Sequence, residues 1–232
     1  MAQGATLLLT RPAAKSERFL ALCRARGFVG GAVISPVLDI VPRDPGVDLA
    51  GFATLLFTSA SAADAVAGRP DLGGQRAFAV GDATAAAVRR LGLDCASAAG
   101  SAAELVRLVA DESPPGPLLH LRGVHAAGDV AGELAARGLR VAEAVVYDQQ
   151  PVPLTPAALA LLHDAAPVLL PLFSPRSARL VRAAAAEARA PLDVAAISVA
   201  VAEAWGGPPD ARVAARPDAD SLANLVVARA FG

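Results

Sequence analysis

The chain is 232 residues long, carries 21 basic and 22 acidic residues for a formal net charge of −1, and is 54% hydrophobic. That length suits one large domain or two small ones, each with a core of its own. Interspersed, near-neutral charge argues against a nucleic-acid or membrane partner held by bulk electrostatics, and the short apolar runs, broken by Arg, Asp or Glu, argue against a membrane-spanning helix despite a mean hydropathy of +0.46.

The first predicted strand, LLLT at 7–10, meets Arg11 and Pro12 and yields to an amphipathic helix ending at Arg26-Gly27. Arg11 interrupts the apolar start too early for a signal peptide, so a cytoplasmic protein is expected. ISPVLDIVP (34–42) reads as one strand running into Pro-rich sequence. LLFTSASAADAV (55–66) runs a strand into Thr58, Ser59 and Ser61 and then into an alanine-rich helix. Hydroxyls and free N–H groups at such a junction form an anion site, or they are plain capping. In AFAVGDATAAAV (77–88), Gly81 permits close approach of backbone to a ligand and Thr84 offers a hydroxyl; a helix capped by Asp82 is the structural alternative.

Further along, Ser101 with Glu104 fits a capping box at the head of a helix over 101–110. LLHLRG (118–123) is a strand carrying Arg122, followed by a helix to Arg137-Gly138 and the strand EAVVYDQQPVP (143–153) with the only tyrosine, Tyr147. LLPLFSPRSARLV (169–181) repeats the strand–hydroxyl–helix junction at Ser174 and Arg176. A cation such as Arg176 in a first helical turn opposes the helix dipole unless an anion is near, either a ligand or an acidic side chain. VAAISVAVAEAW (194–205) gives a strand, Ser198 and a helix, and Asp218 caps a last helix over 218–227.

These elements repeat. Arg11 and Arg122, Gly27 and Gly138, and Pro36 and Tyr147 are each 111 residues apart, marking a strand–helix–strand unit present twice. A second unit, read as strand, helix, strand, helix, loop, helix, recurs at an offset near 117, so the chain alternates A, B, A′, B′. Alternating strands and helices predict parallel sheets covered by helices, in two similar α/β domains with sites on the loops at the carboxyl ends of the strands.

Other chemistry finds little support. Lys15 is the only lysine, and Cys23 and Cys95 lack metal or redox spacing, so both are expected to be reduced structural thiols. His120 and His125 have no Cys, Asp or Glu in ligand spacing, and His163 reads as an ordinary helix residue. No GxGxxG, GxxxxGK[ST] or GxSxG motif occurs where it would count. No cofactor and no metal are expected.

The ordered set LLLTRP, SPVLDIVP, LLFTSASAADAV, AVGDATAAAV, SAAELV, LLHLRG, VVYDQQP and LFSPRSARLV spans nearly the whole chain and resembles the uroporphyrinogen-III synthase family. The resemblance implies two flavodoxin-like domains with parallel sheets, joined by a two-stranded antiparallel linker: residues 1–36 with 154–232, and 42–145, with linker strands at 34–42 and 143–153. It implies a cofactor-free lyase that cyclises hydroxymethylbilane to uroporphyrinogen III, with loss of water and inversion of ring D, in a cleft between the domains. A monomer is expected, with hydroxymethylbilane synthase as a possible transient partner.

Such a substrate needs a proton donor for its departing hydroxyl and partners for its many carboxylates. The resemblance puts Tyr147 where a phenol reaches the cleft. With a reference pKa of about 10 it would be protonated at neutral pH and able to donate; an aromatic packed on a domain edge is the alternative. Thr84 matches a family threonine near the cleft and is paired with Tyr147 as a catalytic candidate. Arg11, Thr58, Ser59, Gly81, Arg122, Ser174, Arg176 and Ser198 are the substrate-binding candidates, the two arginines Arg11 and Arg122 as carboxylate clamps. Ser198-Val-Ala-Val-Ala-Glu203 departs from the family's Gly-x-Thr-like motif and leaves Ser198 as the local hydroxyl. The competing expectation is a non-catalytic two-lobed module that closes on a small polyanion.

Overall fold

A computed structural model describes residues 5–98, 100–125 and 128–230. In chain order the elements are β1 (Thr6–Leu9), α1 (Ala13–Ala25), β2 (Ala32–Ile34), β3 (Leu38–Pro42), β4 (Thr54–Phe57), α2 (Ala60–Ala65), β5 (Arg76–Ala79) and α3 (Asp82–Arg89). Then follow β6 (Asp94–Ser97), α4 (Ala102–Glu112), β7 (Leu118–Gly123), α5 (Val130–Ala135), β8 (Val141–Pro151), α6 (Pro156–His163) and β9 (Val168–Leu172). The chain ends with α7 (Pro175–Ala184), β10 (Leu192–Ala196), α8 (Val199–Trp205), β11 (Arg212–Val213) and α9 (Ala219–Ala230). Among the described residues no helix is long and apolar enough to cross a membrane.

The residues fall into two compact units, Met1–Asp39 with Pro151–Gly232, and Ile40–Gln150. The first holds a parallel five-stranded sheet in the order β11-β10-β9-β1-β2. The strands are apolar on both faces because helices cover both. Leu7 and Leu9 pack with Phe19, Leu222 and Val226 on one side, while Leu8 packs with Leu162, Leu170 and Trp205 on the other.

The second unit holds a six-stranded sheet in the order β3-β8-β7-β4-β5-β6. The β8-β7-β4-β5-β6 run is parallel. Leu55, Phe57, Leu119 and Leu121 face one core, and Leu56, Phe78 and Leu118 face another built on α4 and α5. At its far edge β3 meets β8 through Arg43 N–H donating to Val146 C=O at 2.7 Å.

The first sheet has the doubly wound order 2-1-3-4-5, and the parallel run of the second is its circular permutation, 5-4-1-2-3. In the first, β1 and β2 of unit A join β9, β10 and β11 of unit B′. In the second, β7 and β8 of A′ join β4, β5 and β6 of B. The sequence repeat therefore predicts parallel sheets correctly, and the fold pairs each A unit with the B unit of the other repeat.

Three local expectations are corrected. ISPVLDIVP is not one strand: β2 ends at Ile34 and β3 begins at Leu38. Pro36 has no N–H for a ladder and biases Ser35, while Ser35 Oγ accepts from Thr155 N–H at 2.9 Å. The loop of each B unit contains a short edge strand, β6 or β11, that polar and small residues hid. Asp82 does not cap α3; Gly81 occupies that position with an extended backbone, and Asp82 begins the helix. The capping box of α4 does form, Ser101 Oγ accepting from Glu104 N–H and Glu104 Oε2 from Ser101 N–H, an arrangement typically worth about 1 kcal/mol. Cys23 and Cys95 are free and buried, and burial pushes both thiols up to about 11, which leaves them unreactive at neutral pH.

Candidate active site

In a doubly wound sheet the loops that leave neighbouring strands in opposite directions open a crevice at the carboxyl edge. In the second unit that point lies between β7 and β4, whose registers match Leu56 to His120 and Phe57 to Leu121. Thr58, Ser59, Gly81, Thr84, Arg122 and Tyr147 all gather at this edge, because the strands preceding them are parallel and in register.

Tyr147 owes its position to a bulge. Between Arg122 and Gly123 the β7–β8 register slips, so Gly123 faces Tyr147 while Arg122 faces Val145. A bulge re-aims the side chains that follow it. The Tyr147 ring now lies across Gly123: a Cβ there would sit 2.5 Å from Cζ and 2.9 Å from the phenol oxygen. The ring is 5% exposed. Among the described residues no hydrogen bond engages its hydroxyl.

Thr84 stands in the first turn of α3, nearly buried, again with no hydroxyl partner among the described residues. Gly81 precedes it with a backbone that any residue can adopt, and a Cβ there would meet only Gly100 backbone, with N at an ordinary 3.6 Å. Among the described residues nothing requires glycine at 81. Ser59 is committed to capping α2, accepting from Ser61 N–H at 3.1 Å.

Thr58 is different, because its Oγ1 lies 3.1 Å from His120 Nε2. His120 Nδ1 lies 3.2 Å from Glu143 Oε1, and Arg122 Nε is 3.0 Å from the same oxygen. The Arg122 contact has the distance of an ion pair without the alignment of a hydrogen bond, since Nε counts as buried and unbonded. Arg122 Nη1 donates to Gly123 C=O at 3.3 Å. Its charge is thus already matched inside the protein, which weakens its reading as a carboxylate clamp.

His120 and Glu143 were missed in the sequence. One signal was present: a histidine between leucines in LLHLRG occupies a strand position buried on both faces, where a polar group needs a partner. His120 is 1% exposed. Burial holds its pKa below the usual 6.5, against the opposing pull of the Glu143 hydrogen bond. As pH falls, the unfolded chain therefore takes up this proton before the folded one. The contribution to stability is complete above about 6.5 and is lost as pH falls from there toward the folded value. Urea unfolding between pH 7.5 and 5.5 is expected to show wild type losing stability more steeply than His120→Gln, by at most about 1.4 kcal/mol per pH unit.

In the first unit the reversal of strand order lies between β1 and β9. Arg11 follows β1, and its guanidinium lies 4.0 Å over the ring of Phe173, which follows β9 and meets Phe19 edge-on at 4.9 Å. Burial, then the nearby Arg18, lower the Arg11 pKa. Among the described residues it has no carboxylate partner. Ser174 caps α7, accepting from Ser177 N–H at 3.1 Å and donating to Ser177 Oγ at 2.9 Å. Arg176 occupies the first turn of that helix. Ser198 sits at the head of α8 and makes no side-chain capping bond.

Three surface hollows lie elsewhere. They are lined by Pro191, Leu192 and Pro209, or by Pro117, Leu118 and Val141, at the amino ends of the strands, and hold none of these candidates. Their walls are mostly apolar and bring no convergent donors.

Two doubly wound α/β units, each with polar groups at its strand-order reversal, define the class: a two-unit α/β protein. The sequence model described as uroporphyrinogen-III synthase HemD matches residues 17–224, and the chain belongs to that family. Its role is catalytic, in tetrapyrrole biosynthesis. Uroporphyrinogen-III synthetase from Helicobacter pylori shares the fold with a TM-score of 0.68 and 16% identity, over 98% of this chain and 99% of that one. A mutant uroporphyrinogen III synthase from the extremely thermophilic bacterium Thermus thermophilus aligns with a TM-score of 0.53 and 18% identity, over 98% and 99% of the two chains. No curated protein matches the sequence.

Proposed function

We propose that the chain closes hydroxymethylbilane to uroporphyrinogen III, with loss of water and inversion of the last pyrrole ring. The observation that carries this reading is Tyr147, a nearly buried phenol fixed over Gly123 with no hydroxyl partner among the described residues. An unspent donor at a strand-order reversal suits a leaving hydroxyl. The phenol proton passes to that hydroxyl, water departs, and the substituted carbon of the last ring attacks the azafulvene cation to give a spiro intermediate, whose older methylene bond breaks and re-forms at the free carbon of the same ring. The ring closed last then loses a proton, which restores the phenol. Thr84 presents its hydroxyl to the same chemistry.

Arg11 takes a substrate carboxylate, since a partly desolvated guanidinium without an internal carboxylate gains most from one. Ser198, Ser174, Arg176, Ser59 and Gly81 contribute mainly through helix starts, whose N–H groups donate to anions. Arg122 serves the site through Glu143. In this reading the two units act as the two domains of a monomer, and transient contact with hydroxymethylbilane synthase supplies the unstable substrate. The exposed large apolar side chains among the described residues, Val29, Val47, Val124, Leu159, Val199 and Val213, are single residues well separated in the sequence, which supports the monomer.

The test is product identity. With hydroxymethylbilane generated in situ, the purified chain is expected to yield mainly the type III isomer after oxidation and chromatography. Type I alone, the product of uncatalysed closure, would return the chain to the reading of a two-lobed binding module.

A further inference from the structure

Thr58, His120 and Glu143 form a line across three neighbouring strands, from the carboxyl end of β4 through the centre of β7 to β8. Neutral imidazole carries one proton, and the neighbours decide which nitrogen holds it. Glu143 offers only acceptor oxygens to Nδ1, so Nδ1 bears the proton; the other tautomer would set a lone pair against a carboxylate. Nε2 then presents its lone pair to Thr58, and Thr58 must donate.

A charged imidazolium would reverse this. Burial opposes it, and Arg122 already matches the charge of Glu143 at 3.0 Å. The charged groups acting on His120 are Glu143 and Arg122; Thr58, on the β4 side, does not titrate.

We infer that His120 and Glu143 are positioning residues that turn the Thr58 proton inward, so that Thr58 presents only lone pairs to the ligand and takes an N–H donor, a pyrrole nitrogen of the substrate, rather than a carboxylate. This rests on the reading of Thr58 as a substrate contact.

The relay is tested without turnover. The protein holds three histidines, and His120→Gln identifies the signals of His120. Long-range 1H–15N correlation at pH 7.5 is expected to show a protonated Nδ1 and an unprotonated Nε2. A protonated Nε2 overturns the assignment.

Ligand chemistry is tested by kinetics with hydroxymethylbilane. His120→Phe removes the acceptor and frees the Thr58 proton, and KM is expected to rise about tenfold. His120→Gln, whose carbonyl accepts from Thr58 while its amide donates to Glu143, is expected to restore KM; Thr58→Val is expected to match His120→Phe. Unchanged KM in Thr58→Val, or no rescue by glutamine, overturns the proposal. A KM ratio that shrinks between about 50 and 500 mM salt marks a carboxylate partner and overturns it too. Retention of the type III product in these variants shows that the overall reaction stands whatever the fate of Thr58.

Discussion

Gly123→Ala is expected to abolish most turnover although residue 123 has no side chain to offer. A methyl there would lie 2.5 Å from Tyr147 Cζ and 2.7 Å from Cε2, closer than carbon atoms approach. The ring cannot yield inward, because it packs with Phe57, Leu121 and Val146. It must swing away from the edge, taking the hydroxyl with it. Overpacking of this kind costs about 1–3 kcal/mol, and a misplaced catalytic group loses roughly 10²-fold in rate. Thermal unfolding and turnover measured together check both. In a Tyr147→Ala background the same change is expected to cost little stability, because the colliding ring is gone, and that difference identifies the contact as the cause. Equal destabilisation in both backgrounds would place the strain in the backbone of the bulge instead.

Tyr147→Phe is expected to leave stability within about 1 kcal/mol of wild type, since no protein hydrogen bond among the described residues is lost. Turnover is expected to fall about 10²-fold, the usual contribution of a positioned proton donor. Loss in kcat with little change in KM would show that the hydroxyl acts on the departing group and not in uniform binding. Turnover equal to wild type would remove the phenol from the mechanism and leave the chemistry to the fixed geometry of the bound chain.

Much of the scaffold was legible because repeats and periodicity are local signals. The constant spacing of Arg11 and Arg122, with apolar strands before each, announced two parallel sheets. The strand break at Ser35-Pro36 is written in the proline, but the residues on either side are mostly β-formers and mask it. The edge strands β6 and β11 carry polar and small residues, so their pairing depends on a neighbour that no short window contains. The site was less legible for the same reason. Thr58 and Tyr147 were visible as residue types, but Glu143 meets His120 only through the β7–β8 register, across 23 positions of sequence. Gly123 is the last residue of the strand LLHLRG, and its meaning appears only with the bulge. Capping is the part of the hydroxyl pattern that the structure shows directly. The oxygens of Ser59 and Ser174 accept from Ser61 and Ser177 N–H groups at the heads of α2 and α7.

The order β11-β10-β9-β1-β2 has a consequence for the chain as it is made. β1 bonds to β2, which follows within a few seconds of synthesis, but its other neighbour, β9, is about 160 residues further on. At roughly 5–20 residues per second on the ribosome, the Leu7–Leu9 edge stands unpaired for about 10–30 s. The second unit, contiguous from Ile40 to Gln150, emerges whole in that interval and can fold first. A nascent chain of this topology therefore carries a finished unit beside an open apolar edge, a natural target for holding factors at the exit tunnel.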